Sequence, residues 1–454
     1  MKTLLINPEA PKVIPSVGGH GNVLSLGLAY IAAVLEQYHE VEVIDNNVEK
    51  LNRDQLKRRI EQINPEVIGA TSDSFSFSNA KEIATIAKET DKNIIVVVGG
   101  PHPNVWPKKS LEDNCFDISV YGEGEATAVE LWEKLEKGDD ISNVDGIAYK
   151  KNGKIIVNPR RKLIEELDSI PFPVRHLFPI NKYPRRFLDL RTMPGDTIST
   201  SRGCPYSCNY CSNRIIYGRI YRYRSPENIV NEIALLVKEY GTKAIYFRED
   251  IFTINKKRVI GICDEIRNRG IKIDWACESR VDTVDGEMLN SMKDAGCKTV
   301  WFGVESGSQE MLDRLNKQIT VQQVKKTFDL CRKVGIRAGA SFMIGIPGET
   351  VENIHKTIDF ACSLKPALAW FCIFLGIPSS PMYEYIVKNG LFSRDIGNGI
   401  LLVKTDEFDR NYMERLQKYA NRKSEGPFRY YGKKCASIIP TPIKKILMNL
   451  SHRY

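Results

Sequence analysis

No uninterrupted apolar run in this 454-residue chain reaches about 18 residues, so no transmembrane helix is expected. The first residues, Met1 to Asn7, run directly into a strand-like segment and lack the layout of a signal peptide. Histidine is scarce, six in all, and none stands in an Asp-x-His arrangement. No P-loop and no internal repeat is visible. The 11 cysteines, an odd number without paired spacing, argue against a disulfide framework and for a reducing, cytoplasmic setting. Acidic residues are few near the end. From Lys404 onward 12 Lys and Arg face 5 Asp and Glu, so seven of the nine net positive charges lie there. The rest of the chain is nearly neutral. A basic tail can meet anionic lipid, nucleic acid or a phosphorylated substrate, or simply keep the protein solvated.

What is present is an ordinary globular composition, 42% apolar and 27% charged, over a length that suggests two or three domains. Strand-like and helix-like segments alternate through the first 140 residues. The strands fall at Thr3–Asn7, Val41–Asp45, Glu66–Ala70, Asn93–Val98 and Asp117–Val120, with helical patterns such as Leu26–Gln37 and Ala126–Glu136 between them. That alternation predicts an α/β fold, a doubly wound parallel sheet at 1–140. Ligands in such sheets bind beyond the carboxyl ends of the strands. Those ends carry Ser72, Gly99, Gly100, His102, Gly122, Glu123 and Gly124. Residues 141–190 read as a connector with a hairpin turning at Asn152-Gly153. A second alternating series starts near Asp196 and has six strand–helix units, which predicts a partial (β/α)6 barrel over 191–392. Residues 393–454 form a small, less regular basic region.

The chemistry concentrates in Cys204-Pro-Tyr-Ser-Cys208-Asn-Tyr-Cys211, directly after the first barrel strand. No fourth Cys or His follows closely. A structural zinc site wants four ligands. A [4Fe–4S] cluster held by three thiolates keeps one iron open to a small molecule. The remaining cysteines have no ligand-like spacing and read as small core residues. Each later strand end adds polar groups: Glu249 and Asp250, Arg280 with Asp282, Glu305, and Ser341 through Gly345. Arg280 and Asp282 also read as a plain salt bridge.

The cysteine spacing and the order of the later segments resemble the radical SAM superfamily. The doubly wound domain ahead of them, with Leu26-Gly-Leu-Ala-Tyr30, Gly99–Pro103 and Tyr121–Glu125, resembles its cobalamin-dependent branch over about residues 1–390. The resemblance implies that the open iron of a [4Fe–4S] cluster on Cys204, Cys208 and Cys211 chelates S-adenosylmethionine (SAM). It implies SAM contacts from Tyr210, Glu249, Asp250, Arg280, Glu305, Ser341 and Gly345. It implies cobalamin, in a Rossmann-like B12-binding domain, at the glycine-rich strand ends. The motif at Glu249 departs from the Gly-Gly-Glu form of many members, so the acid that holds the SAM ammonium is open among Glu249, Asp250 and Glu305. Without an Asp-x-His motif, cobalamin is expected base-off with no histidine ligand, His102 acting as a loop or nucleotide-tail contact. His20 reads as a loop histidine.

The expected activity is methyl transfer to an unactivated carbon, started by a 5'-deoxyadenosyl radical. The expected partners are a small-molecule substrate, lipid-linked or phosphorylated in one version, and a reductase, flavodoxin or ferredoxin as electron donor. Nucleic acid is not the expected partner, and a peripheral membrane contact is left open by the tail. The alternatives are a cyclase, mutase or dehydratase that uses no cobalamin, and an iron–sulfur binding protein acting on RNA or a membrane.

Overall fold

Strands β1 (Lys2–Asn7), β2 (Glu40–Asp45), β3 (Val67–Thr71), β4 (Ile95–Gly99) and β5 (Ile118–Val120) lie parallel in the order β2-β1-β3-β4-β5. The computed structural model that gives this arrangement describes residues 1–10, 23–187 and 189–435, with side chains through 424. Strands β1, β3 and β4 are rich in Leu, Ile and Val and buried on both faces, as a sheet covered by helices on two sides requires, while the edge strand β2 carries Glu40 and Glu42. Chain order reverses between β1 and β3. Such a switch point opens a crevice at the strand ends.

The hairpin is not a free connector. Its strands β6 (Ile147–Lys151) and β7 (Lys154–Val157) extend the same sheet antiparallel, with Val120 opposite Ile147. The physical reason is the edge of β5, whose unpaired backbone groups the hairpin covers.

The second half begins with β8 (Gly195–Ile198), followed by a two-stranded ribbon, β9 (Ser201–Arg202) and β10 (Arg222–Tyr223), that brackets the cysteine loop. Then come β11 (Ala244–Phe247), β12 (Asp274–Ser279), β13 (Cys297–Glu305), β14 (Arg337–Ile344) and β15 (Leu368–Ile373). All six long strands pair in parallel and in chain order from β8 to β15. This is a partial barrel, with helices such as Pro226–Tyr240 and Val321–Val334 turning their apolar faces to it.

The expected irregular C-terminal region is partly built into the barrel. After β16 (Leu375–Gly376), β17 (Phe392–Asp395) and β18 (Leu401–Val403), the helix Arg410–Cys435 packs along the edge strand β15. Gln417 Nε2 donates to Phe371 O at 2.7 Å, and Met413, Leu416 and Ala420 are buried. The basic stretch Pro442–Met448 lies outside the described residues, as does His20, and the Phe428–Lys434 side chains do too. Among the described residues no helix is long and apolar enough to cross a membrane.

Candidate functional site

Two cavities meet at one loop. The first, about 410 Å³, opens at the switch point of the parallel sheet. Gly99, Gly100, Gly122, Glu123 and Gly124 stand on its wall, as expected, with Thr71 and Asn104 beside them. Its far wall comes from the second half of the chain: Ser199, Arg202, Ile216 and Tyr217. Gly100 has φ +101°, and a Cβ there would lie 2.7 Å from Ser72 O, so the turn admits glycine alone.

Two residues of the sequence reading lie off this wall. Ser72 knits loops together: its N–H donates to Gly99 O at 2.8 Å and its carbonyl accepts from His102 N at 3.0 Å. His102 is buried, stacked on Phe77 at 3.9 Å and hydrogen-bonded to Ser74 Oγ at 3.0 Å. Burial pushes its imidazole down to about 4, so it is neutral. Glu123 lines the cavity, but its carboxylate is engaged. It accepts from Arg202 at 2.8 Å, from Arg222 at 2.8 and 3.1 Å, and from Ile164 N at 2.7 Å. Burial opposes its charge, yet these donors hold its carboxyl below the usual range.

The second cavity, about 440 Å³, lies inside the barrel. Cys204, Cys208 and Cys211 line it together with Tyr206, Tyr210, Asp250, Arg280, Glu305, Lys317 and Ser341. The three cysteines are half-buried, whereas Cys263, Cys277, Cys297 and Cys331 are buried core residues. Gly203 starts the loop at φ +86°, where a Cβ would lie 2.1 Å from Ile220 O. The loop is then pinned from behind. Asn209 N–H donates to Leu315 O at 2.8 Å, Asn316 Nδ2 donates to Ser207 O at 2.9 Å, and Met382 N–H donates to Asn209 O at 2.9 Å. Among the described residues no three ligating side chains gather as a single metal ion would need. The three cysteines all line this one cavity.

Two of the acids left open, Glu249 and Asp250, separate cleanly. Glu249 turns into the protein, where Thr200 and Ser201 hydroxyls donate to it and Arg258 lies 3.6 Å away. Asp250 faces the cavity, with the Asn213 amide donating to it, and burial raises its carboxyl. Arg280 spends its fork on Asp282, at 2.9 and 3.0 Å, and donates to Lys317 O at 2.7 Å. Its guanidinium lies 3.7 Å over the Tyr206 ring, with Nη1 at 3.8 Å from Cys208 Sγ. It shapes the loop rather than offering a free fork. Gly345 is off the cavity wall. Its N–H donates to Glu349 Oε2 at 2.7 Å, and a Cβ there would meet Met413 and Phe408.

Sequence reasoning missed Lys317. Its ammonium is 5% exposed and donates to Glu305 Oε1 at 2.8 Å and to Tyr210 OH at 3.0 Å, while Tyr210 OH donates to Glu305 at 2.9 Å. It brings a buried cation to the cavity beside the cysteine loop. The cavity thus offers an acid at Asp250, a cation at Lys317, and hydrogen-bonding groups at Glu305 and Ser341.

Residues 198–361 match the radical SAM superfamily and residues 17–132 match the B12 binding domain. An uncharacterized methyltransferase, PH0819, of Pyrococcus horikoshii is 38% identical over 86% of this chain and 84% of its own length. The anaerobic magnesium-protoporphyrin IX monomethyl ester cyclase of Rubrivivax gelatinosus is 29% identical over 90% of this chain and 75% of its own. The fold matches that of OxsB, a cobalamin-dependent S-adenosylmethionine radical enzyme, with a TM-score of 0.80 at 20% identity, covering 99% of this chain and 70% of that one. This chain belongs to the radical SAM superfamily, in the group that carries a B12 binding domain ahead of the radical SAM core.

Proposed function

We propose that the protein is a cobalamin-dependent radical SAM methyltransferase that acts on an unactivated carbon of a small molecule. One observation carries this reading. The segment from Arg202 to Tyr217 is a shared partition, its cysteines on the barrel cavity and Arg202, Ile216 and Tyr217 on the sheet cavity. Two cofactor-sized spaces therefore face each other across one loop. A relative named as a methyltransferase supports the same reading.

The residues suit the groups. Cys204, Cys208 and Cys211 share the barrel cavity and would hold three irons of a cluster. Asp250 accepts the SAM ammonium in place of Glu249. Lys317 would take the SAM carboxylate, and Glu305 would accept a ribose hydroxyl. The wall of the sheet cavity holds glycine loops and no histidine among the described residues, which suits a base-off corrinoid. When bound, the cluster and SAM supply a 5'-deoxyadenosyl radical and cobalamin supplies a transferable methyl group. The ten cysteines whose side chains are described are unpaired, as a reducing cytoplasm favours. An electron donor of the flavodoxin or ferredoxin kind and a small-molecule substrate complete the set.

The test is product analysis under anaerobic, reducing conditions with SAM. Methyl transfer predicts S-adenosylhomocysteine, scaling with bound cobalamin, beside 5'-deoxyadenosine. The similarity to a cyclase favours a second reading in which the methyl group is not spent. Release of 5'-deoxyadenosine alone, whatever the cobalamin content, would favour that reading over ours.

A further inference from the structure

The lining of the sheet cavity is of two kinds. One part is polar: Ser25, Thr71, Asn104, Glu123, Glu125 and Arg202. The other part enters the core between the sheet and the helices Leu26–Leu35 and Gly124–Lys137, where Leu5, Leu28, Val97, Val120, Ala128 and Trp132 form the walls. Among these six side chains the one polar atom is Trp132 Nε1, and it is already used, donating to Thr3 Oγ1 at 2.8 Å. The backbone groups around it belong to the ladders of β1, β3, β4 and β5. Gly69 lets the Leu5 and Trp132 side chains close down on the sheet here. A Cβ at that position would stand 2.7 Å from Leu5 Cδ2 and 3.8 Å from the Trp132 ring.

We infer that this apolar slot selects among corrinoids by their lower base, taking dimethylbenzimidazole in preference to a purine such as adenine. The inference rests on the proposal that the cavity holds a corrinoid. A corrin ring is broad and edged with amides, which suits the polar part of the lining. The nucleotide end is the flat, narrow part that matches the slot. Dimethylbenzimidazole presents methyl groups where adenine presents an exocyclic amine and further ring nitrogens. In this slot those polar atoms lose water and find no partner. The adeninyl compound therefore binds more weakly by roughly ten- to hundredfold, the usual cost of burying unpaired polar groups.

The experiment measures binding of cobalamin, adeninyl cobamide and cobinamide (which lacks the nucleotide) to the full-length protein by visible absorbance. All three are held in the Co(I) state, where the lower base leaves cobalt, so the comparison reads the slot alone. Cobalamin should bind tightest. Val97→Thr, and separately Ala128→Ser, put a hydroxyl on the slot wall and should narrow the ratio between cobalamin and adeninyl cobamide. Equal or tighter binding of adeninyl cobamide would overturn the selection. Equal binding of cobinamide would show that the tail stays out of the slot, leaving the corrinoid reading intact. Failure of all three to bind would overturn that reading and the slot with it.

Discussion

At the residue scale, the barrel cavity depends on a few buried charges, and Lys317 is the most consequential. Removing it takes away the cation beside the cysteine loop and leaves Glu305 with the Tyr210 hydroxyl alone. Lys317→Met should weaken SAM binding by roughly ten- to hundredfold, the value of a charge-assisted hydrogen bond. Equilibrium dialysis with the reconstituted protein checks this, and unchanged affinity would assign Lys317 a purely structural role. Glu349 gives a prediction about pH. Burial raises its carboxyl to about 8, although Gly345 and Ile346 N–H groups donate to it. The folded state thus keeps a proton that the unfolded chain releases near the ordinary carboxylate range. Its contribution to stability is complete below that range and is lost as pH rises through about 8. Glu349→Gln should flatten the fall of the urea midpoint with pH over this window. An unchanged slope would place the pH dependence elsewhere.

At the element scale, much of the site was legible before the fold was known. Strand positions followed from short Val and Ile runs, and the cysteine loop followed from its spacing. The misplaced residues share a physical cause. Neighbours at a strand end point to opposite sides, so spacing could not say whether Glu249 or Asp250 faced the cavity. Thr200 and Ser201, distant in sequence, decided it by capturing Glu249. Lys317 was hidden because a short helix, Gln309–Arg314, carries the chain out and back before Lys317 meets Glu305. No periodic pattern marks such a return. His102 was read as a ligand-facing loop residue, and only the Phe77 ring beneath it turns it into the core. The loop itself depends on Gly203. Gly203→Ala collides with Ile220 O and should abolish iron and sulfide loading while corrinoid binding persists. Chemical iron analysis beside the corrinoid spectrum checks this, and full iron loading would contradict it.

At the scale of the whole molecule, the two halves are joined where their cavities meet. Glu123 sits at that joint, holding Arg202 and Arg222 from the barrel side. Glu123→Ala leaves buried guanidinium groups underpaired and should destabilise the protein by about 3 kcal/mol. The sheet domain should then unfold separately from the barrel. A single denaturation transition at the unaltered midpoint would contradict that prediction.

The account's central claim is that one chain holds two cofactors, one on each side of the cysteine loop. The most direct measurement is the visible spectrum, with iron, sulfide and cobalt analysis, after anaerobic reconstitution with iron, sulfide and hydroxocobalamin and removal of unbound material. The account predicts one corrinoid and one four-iron cluster per chain, with the cluster alone lost in the Cys204→Ala, Cys208→Ala, Cys211→Ala variant. A cluster without retained corrinoid, or iron retained by the triple variant, would contradict it.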